Sequence, residues 1–345
     1  MTVLCLALGF WILGWALGTP HALRWAMIAA LWAMVVVIHL TLPGGNGLRL
    51  ATGGDVRVWL SVGVLAAVIG IYRAGLAWLK ARAKPVQAPQ SGPFSDSELS
   101  RYMRHIVLRE IGGAGQARLK SARVLVIGAG GLGAPALLYL AAAGVGTIGI
   151  IDDDNVEGSN LQRQIIHTDA RIGMPKVQSA YIAMQALNPF VTVLPYHRRL
   201  AADSAALIGD FDLILDGSDN FETRYLVNAA CVAAGKPLIS AAISQWEGQI
   251  SLYAPNGPCY ACVFPTAPAA GLAPSCAEAG VMAALPGVVG SMMASEAIKY
   301  LTGAGQGLQG RLLIYDALYS ETRVIRVNRD PACPCCHSLA ANLAP

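Results

Sequence analysis

A glycine-rich turn, Gly128-Ala129-Gly130-Gly131-Leu132-Gly133, stands between a short apolar run and a helix-patterned stretch. No other feature limits the possible folds so sharply. The run before it, Arg123–Ile127 (RVLVI), reads as a strand buried on both faces, and Ala134–Ala143 reads as a helix. Glycines at such a junction let the backbone approach a phosphate. The helix that follows supplies N–H donors and positive potential. A second strand, Thr147–Asp152 (TIGIID), ends in Asp152, about 20 residues after the turn, where a carboxylate can bind ribose hydroxyls. Further strands fit Val191–Tyr196, Leu213–Asp216 and Pro237–Ala241, with apolar helical stretches at Val177–Leu187 and Arg224–Ala234 between them. The alternation predicts an α/β fold: a Rossmann-like, mostly parallel sheet with helices on its faces. The tail differs. Gly248–Ala254, Arg311–Tyr315 and Thr322–Val327 read as strands joined by turns, an antiparallel C-terminal extension. Taken alone, the glycine turn favours a dinucleotide, and an NAD(P) oxidoreductase tethered to a membrane is one functional reading.

The rest of the 345 residues is unevenly apolar. A content of 54% apolar residues is high for a soluble enzyme, and the excess sits at the N-terminus. Thr2–Gly18 and Trp25–Leu42 carry no Lys, Arg, Asp or Glu, and Val58–Leu79 carries only Arg73. We read residues 1–84 as a membrane anchor of about three transmembrane helices. A secretory signal peptide is excluded by the lack of a basic leader and of a small-residue cleavage site ahead of Thr19-Pro20. Lys80, Arg82 and Lys84 follow the third span, so the positive-inside rule puts the remainder in the cytoplasm. The expected location is therefore the cytoplasmic (inner) membrane, multi-pass. Residues 85–94 (PVQAPQSGPF) form the expected linker and 95–345 the catalytic domain. Residues 1–84 hold seven of the 25 Lys/Arg and one of the 21 Asp/Glu, which leaves 18 basic and 20 acidic residues for the rest. The pI of 8.6 is thus a property of the anchor, and nucleic-acid binding is not expected.

Two constellations carry chemistry. Asn160-Leu161-Gln162-Arg163-Gln164 and Lys176 put two cations and several amides just past the ribose position. Side-chain cations and Mg²⁺ suit a triphosphate, whereas a dinucleotide pyrophosphate is served by backbone N–H groups. Asp216-Gly217-Ser218-Asp219-Asn220 follows an apolar strand at the carboxyl edge of the sheet, where a carboxylate could hold Mg²⁺. The second constellation is two C-x-x-C pairs, Cys259/Cys262 and Cys333/Cys336. Four thiolates suit tetrahedral Zn²⁺, and a reducing cytoplasm argues against disulfides. Cys335 is a spare thiol, and a redox role for the C-x-x-C pairs is the second reading.

Read together, RYMRHIVL (101–108), GAGGLG, DxDxVxxSNLQRQ (152–164), GMPKV (173–177), DGSDN, CYAC, CAEAGV (276–281), GxxGSxxAxEAIKxL (287–301) and the cysteine tail resemble one family. It comprises the sulfur-carrier adenylyltransferases: the molybdopterin-synthase adenylyltransferases and thiamine-pathway carrier-activating enzymes, relatives of the ubiquitin-activating enzymes. The likeness runs from about Ser95 to His337; the N-terminal spans have no counterpart in the soluble members. The resemblance implies ATP-dependent activation of a ubiquitin-like carrier's C-terminal carboxylate, with a sulfurtransferase donor as a further partner. The motif wording favours the molybdopterin-synthase carrier, with the thiamine carrier as the alternative. It also implies roles. Gly128, Gly130, Gly131 and Gly133 would cradle the nucleotide, Asp152 and Asn160 would contact the ribose and its surroundings, and Arg163 and Lys176 the phosphates. Asp219 would hold Mg²⁺, and Arg104 would reach the triphosphate across a homodimer. Cys259, Cys262, Cys333 and Cys336 would bind structural zinc. Cys276 is either a reactive thiol or a small buried one, and His167 reads as a satisfied structural histidine. A catalytically retired recruitment module is a third reading, against which these retained residues argue.

Overall fold

The computed structural model describes residues 2–53, 55–82, 92–201, 204–269 and 276–337. It divides into two compact units, Met1–Gln90 and Ser91–Pro345.

The N-terminal unit is helical: α1 (Thr2–Ala16), α2 (His21–Thr41), α3 (Gly47–Thr52) and α4 (Val56–Arg82). Helices α2 and α4 are long and apolar enough to cross a membrane, by length and composition. Helix α1 is not. Its 15 residues span ~22 Å, against ~30 Å for a hydrocarbon core. At the α1–α2 corner, Arg24 is buried and donates to the Thr19 carbonyl (Nε, 2.9 Å; Nη2, 2.6 Å). Trp32 of α2 donates its indole N–H to the Trp59 carbonyl of α4 (2.9 Å), where Gly63 lets the two helices approach.

The second unit opens with α5 (Asp96–Ile106), started by a capping box between Ser95 and Glu98. Phe94, read above as the end of the linker, is buried edge-on to Tyr102; positions 85–91 of that segment lie outside the described residues. Then follow α6 (Gly112–Ser121), β1 (Arg123–Ile127), α7 (Gly133–Ala143), β2 (Thr147–Ile151), α8 (Lys176–Leu187) and β3 (Thr192–Tyr196). Next come α9 (Ala205–Gly209), β4 (Leu213–Asp216), α10 (Phe221–Ala234), β5 (Leu238–Ser244) and β6 (Glu247–Tyr253). The chain closes with α11 (Tyr260–Val263), α12 (Cys276–Ala279), α13 (Leu285–Thr302), β7 (Arg311–Asp316) and β8 (Glu321–Arg326).

The strands form one sheet in the order β3-β2-β1-β4-β5-β6-β7-β8. The first five run parallel, and β6, β7 and β8 are each antiparallel to the strand before, so the expected sheet architecture is met. Strand alternation sorts the core. Val124 and Val126 of β1 face the layer that contains α7, α8 and α13, while Leu125 and Ile127 face the layer that contains α9, α10 and α11. Covered on both faces, β1 has to be apolar throughout, which is why RVLVI shows no polar alternation. The order reverses between β1 and β4, and the loops at the carboxyl ends of these two strands diverge to leave a crevice.

Candidate active site

That crevice holds a cavity of about 620 Å³, large enough for a nucleotide with room beyond it. Its floor is the glycine turn. Gly128 has φ +92°, and a Cβ on Gly133 would lie 1.8 Å from the Gly128 carbonyl oxygen, so neither position accepts a side chain. Gly128, Gly130 and Gly131 line the cavity. Gly133 permits the helix to start close against the turn. Among the described residues, the N–H groups of Gly130, Gly131 and Leu132 have no acceptor. Three open donors at the start of α7 make an anion cradle.

Asp152 is half-buried at the end of β2 and lines the cavity. Its carboxylate accepts from the Ala129 N–H (Oδ2, 2.8 Å) and the Asp154 N–H (Oδ1, 2.8 Å), so it ties the glycine turn to the next strand. Burial raises its pKa above the ordinary value; the nearby Lys176 charge and the two backbone donors oppose that. Lys176 is the first residue of α8 and is buried, with its ammonium 2.7 Å from Asp154 Oδ2. Arg163 enters from the loop after β2 and donates from Nη2 to Asn160 Oδ1 at 2.8 Å. Asn160 itself does not line the cavity. Its side-chain oxygen orients Arg163.

From β4 the turn continues through Asp216, fully buried, whose Oδ1 accepts from Ser218 N–H (3.0 Å) and whose Oδ2 accepts from Ser240 Oγ (3.0 Å). This fixed carboxylate presents the exposed Asp219 to the cavity. The adjacent Asn220 caps α10 by accepting from Thr223 N–H at 2.9 Å. Asp219 lines the same cavity as Asp152, Asp153 and Asp154, and the oxygens of the latter three lie within 4.8 Å of one another; all four are oxygen donors of the kind a hard divalent cation takes.

Arg104 lies on the exposed side of α5 and is not part of the cavity wall that this chain builds. Cys276 begins α12; its side chain and positions 270–275 lie outside the described residues. Several wall residues escaped the sequence reading. Arg198 and Arg199 follow β3, and Arg224 stands one turn into α10, donating to the Ser218 carbonyl at 2.7 Å. The paired arginines in YHRRL at a strand end were the available signal. Arg224, Gln164 and Ser218 are all buried, and Arg224 Nε, Gln164 Oε1 and Ser218 Oγ find no partner among the described residues. Orphaned polar atoms of this kind cost free energy that a ligand in the cavity can recover.

The four cysteines gather as expected. Cys259 Sγ lies 3.8 Å from Cys262 and 3.6 Å from Cys333, and Cys262 Sγ lies 3.5 Å from Cys336. A tetrahedron with Zn–S bonds of ~2.3 Å has edges of ~3.8 Å, so the thiols suit one tetrahedral ion. Asn228 of α10 donates to Cys335 Sγ (3.2 Å) and accepts from the Tyr260 N–H (2.8 Å), which holds the fifth thiol beside this set.

The ThiF family matches residues 102–335. The sulfur carrier protein adenylyltransferase of Thermus thermophilus is 50% identical over 250 residues, covering 70% of this chain and 92% of that one. The probable adenylyltransferase/sulfurtransferase MoeZ of Mycobacterium tuberculosis is 52% identical over 256 residues, 72% of this chain and 65% of its own length. Among solved structures, Escherichia coli MccB shares the fold with a TM-score of 0.62 at 23% identity, over 70% of this chain and 74% of that one. A glycine turn backed by side-chain cations, on a sheet whose last strands turn antiparallel, thus sits within a match that spans most of the catalytic unit, and the chain belongs to the ThiF family.

Proposed function

We propose that this chain is an ATP-dependent adenylyltransferase that activates the C-terminal carboxylate of a ubiquitin-like sulfur carrier. One observation carries the reading: the open amides of the glycine turn meet Arg163, Lys176, Arg198 and Arg199 in a single cavity. So many side-chain cations suit a triphosphate, where an NAD(P) enzyme would rely on backbone donors.

The chemistry follows from charge. A carboxylate oxygen of the carrier forms a bond to the α-phosphorus of ATP, the bond from that phosphorus to the α,β-bridging oxygen breaks, and pyrophosphate leaves with the electron pair. The nucleophile is already ionised, so no protein base is needed. The protein's task is to hold two anions together and to stabilise the leaving group. The amides of Gly130 and Gly131 bind phosphate oxygens, and Arg163 and Lys176 neutralise the triphosphate. Asp219 would hold Mg²⁺, which supplies charge neutralisation on the phosphates. Arg104 completes the site from a second copy of the chain. The four-cysteine set holds a structural Zn²⁺ that ties the C-terminal tail to α11.

Within the same reading, the carrier is the small subunit of molybdopterin synthase, for which the motif wording speaks; a sulfurtransferase acts on the adenylate afterwards. The N-terminal unit anchors the enzyme in the cytoplasmic membrane through α2 and α4, with the catalytic unit on the cytoplasmic side. The basic residues at the end of α4 support that orientation. The decisive experiment is ATP–pyrophosphate exchange with purified carriers. Exchange that depends on the molybdopterin carrier is expected. Exchange with the thiamine carrier alone would redirect the pathway, and NAD(P)H binding without exchange would replace the reading altogether.

A further inference from the structure

The peptide groups around Ala129 are held from two sides. Ala129 N–H donates to Asp152 Oδ2 at 2.8 Å, and the Ala129 carbonyl oxygen lies 2.9 Å from His167 Nε2. A carbonyl oxygen only accepts, so Nε2 carries the hydrogen. His167 Nδ1 lies 2.9 Å from Ser179 Oγ, and in the neutral ring it accepts from that hydroxyl. His167 and Ser179 are both buried, and Arg171 donates to the Ser179 carbonyl at 3.0 Å, which steadies the hydroxyl's own segment. Burial, with the charges of Lys176 and Arg171 nearby, pushes the ring's pKa below its ordinary value and keeps it neutral at pH 7; its hydrogen bond to the Ala129 carbonyl opposes this in part.

One geometric consequence matters for the cavity. The Ala129 carbonyl and the Gly130 N–H belong to one trans peptide plane, so they point in opposite directions. Gly130 lines the cavity, and its N–H is one of the open donors. His167 stands behind the turn, outside the cavity wall. Glycine at 130 leaves that plane free to rotate unless something grips it. We propose that His167 is a positioning residue of the phosphate cradle: by holding the Ala129 carbonyl it aims the Gly130 N–H into the cavity.

This rests on reading the cavity as a nucleotide site, and two substitutions in the full-length protein in detergent separate the two ideas. His167→Gln can place an amide N–H where Nε2 stood and keep the grip on the carbonyl. His167→Asn reaches only the Nδ1 position, so it can keep Ser179 but leaves the carbonyl unpaired. Titration calorimetry with ATP should show His167→Asn binding about tenfold to a hundredfold more weakly, and His167→Gln within about threefold of the parent. In exchange kinetics, KM for ATP should rise in His167→Asn with KM for the carrier unchanged. Unchanged affinity in His167→Asn, or equal losses in both variants with equally lowered Tm, would overturn the proposal. ATP binding without exchange would sink the carrier reading and leave the cradle standing. If the parent binds no ATP, hydrogen exchange of the Gly130 amide still decides: faster exchange in His167→Asn than in His167→Gln supports the grip, and equal rates refute it.

Discussion

Lys176 is buried while its partner Asp154 is largely exposed, so water screens the carboxylate more than the ammonium, and the cation keeps part of its pull on an incoming anion. Arg163 has no carboxylate partner among the described residues; its guanidinium is oriented by the neutral Asn160 and keeps its full charge for an incoming anion. Arg163→Ala should therefore lower carrier-dependent exchange by at least about a hundredfold, and Asp219→Ala should do the same through loss of its metal contact. Neither side chain is buried in the core, so Tm should stay within about 2 °C of the parent. Exchange rates near the parent's in either variant would remove that residue from the machinery. These residues were legible because each lies just beyond a recognisable strand. Arg198, Arg199 and Arg224 were not, because strand order in the sheet is what brings the ends of β3 and β4 to the same crevice. Asn160 and Gly133 were legible as important, but not that one orients a neighbour and the other makes room for a backbone.

Among elements, α10 links both constellations. Its cap Asn220 and Arg224 line the cavity, and Asn228, one turn further along the same face, reaches the cysteine set. Cys262→Ser should lower zinc content and Tm together, by about 10 °C, because a closed four-thiolate site contributes folding free energy directly. Cys335→Ser should leave the zinc stoichiometry at one per chain, since the other four thiols already complete a tetrahedron. Elemental analysis beside a thermal melt checks both, and a zinc-free, active, reduced preparation would assign the cysteines to packing or redox work. The parallel half of the sheet was readable from apolar runs bounded by turns. The 18-residue α13 was read as a motif and not as a helix, since its Gly287 and Gly290 blur the helical pattern. Gly290 has a packing reason: a Cβ there would sit 2.3 Å from the Leu132 carbonyl oxygen, where α13 presses on the start of α7.

At the scale of the whole molecule, the two units make separate demands. The catalytic unit covers its sheet on both faces, whereas α4 exposes Val62, Val64, Leu65, Val68, Ile69, Ile71 and Tyr72 along its length. A chain beginning at Ser95 should be soluble and active on a carrier, while the full-length protein should resist alkaline extraction from membranes. An inactive truncation beside active full-length protein in detergent would show that the first unit takes part in catalysis. The composition break between the units was plain in the sequence; the lengths of the individual helices were not, because apolar content does not reveal that α1 stops after 15 residues. The seating of α13 on α7 also has a consequence in time. The helix that carries the glycine turn is completed by a partner about 150 residues further along the chain, which a ribosome takes roughly 8–30 s to supply. For that interval, Pro135 of the nascent α7 lacks the cover that α13 gives it at Gly290 in the finished protein. Synthesis thus passes through a stage with exposed apolar surface, and the yield of folded protein is expected to vary with the rate of translation.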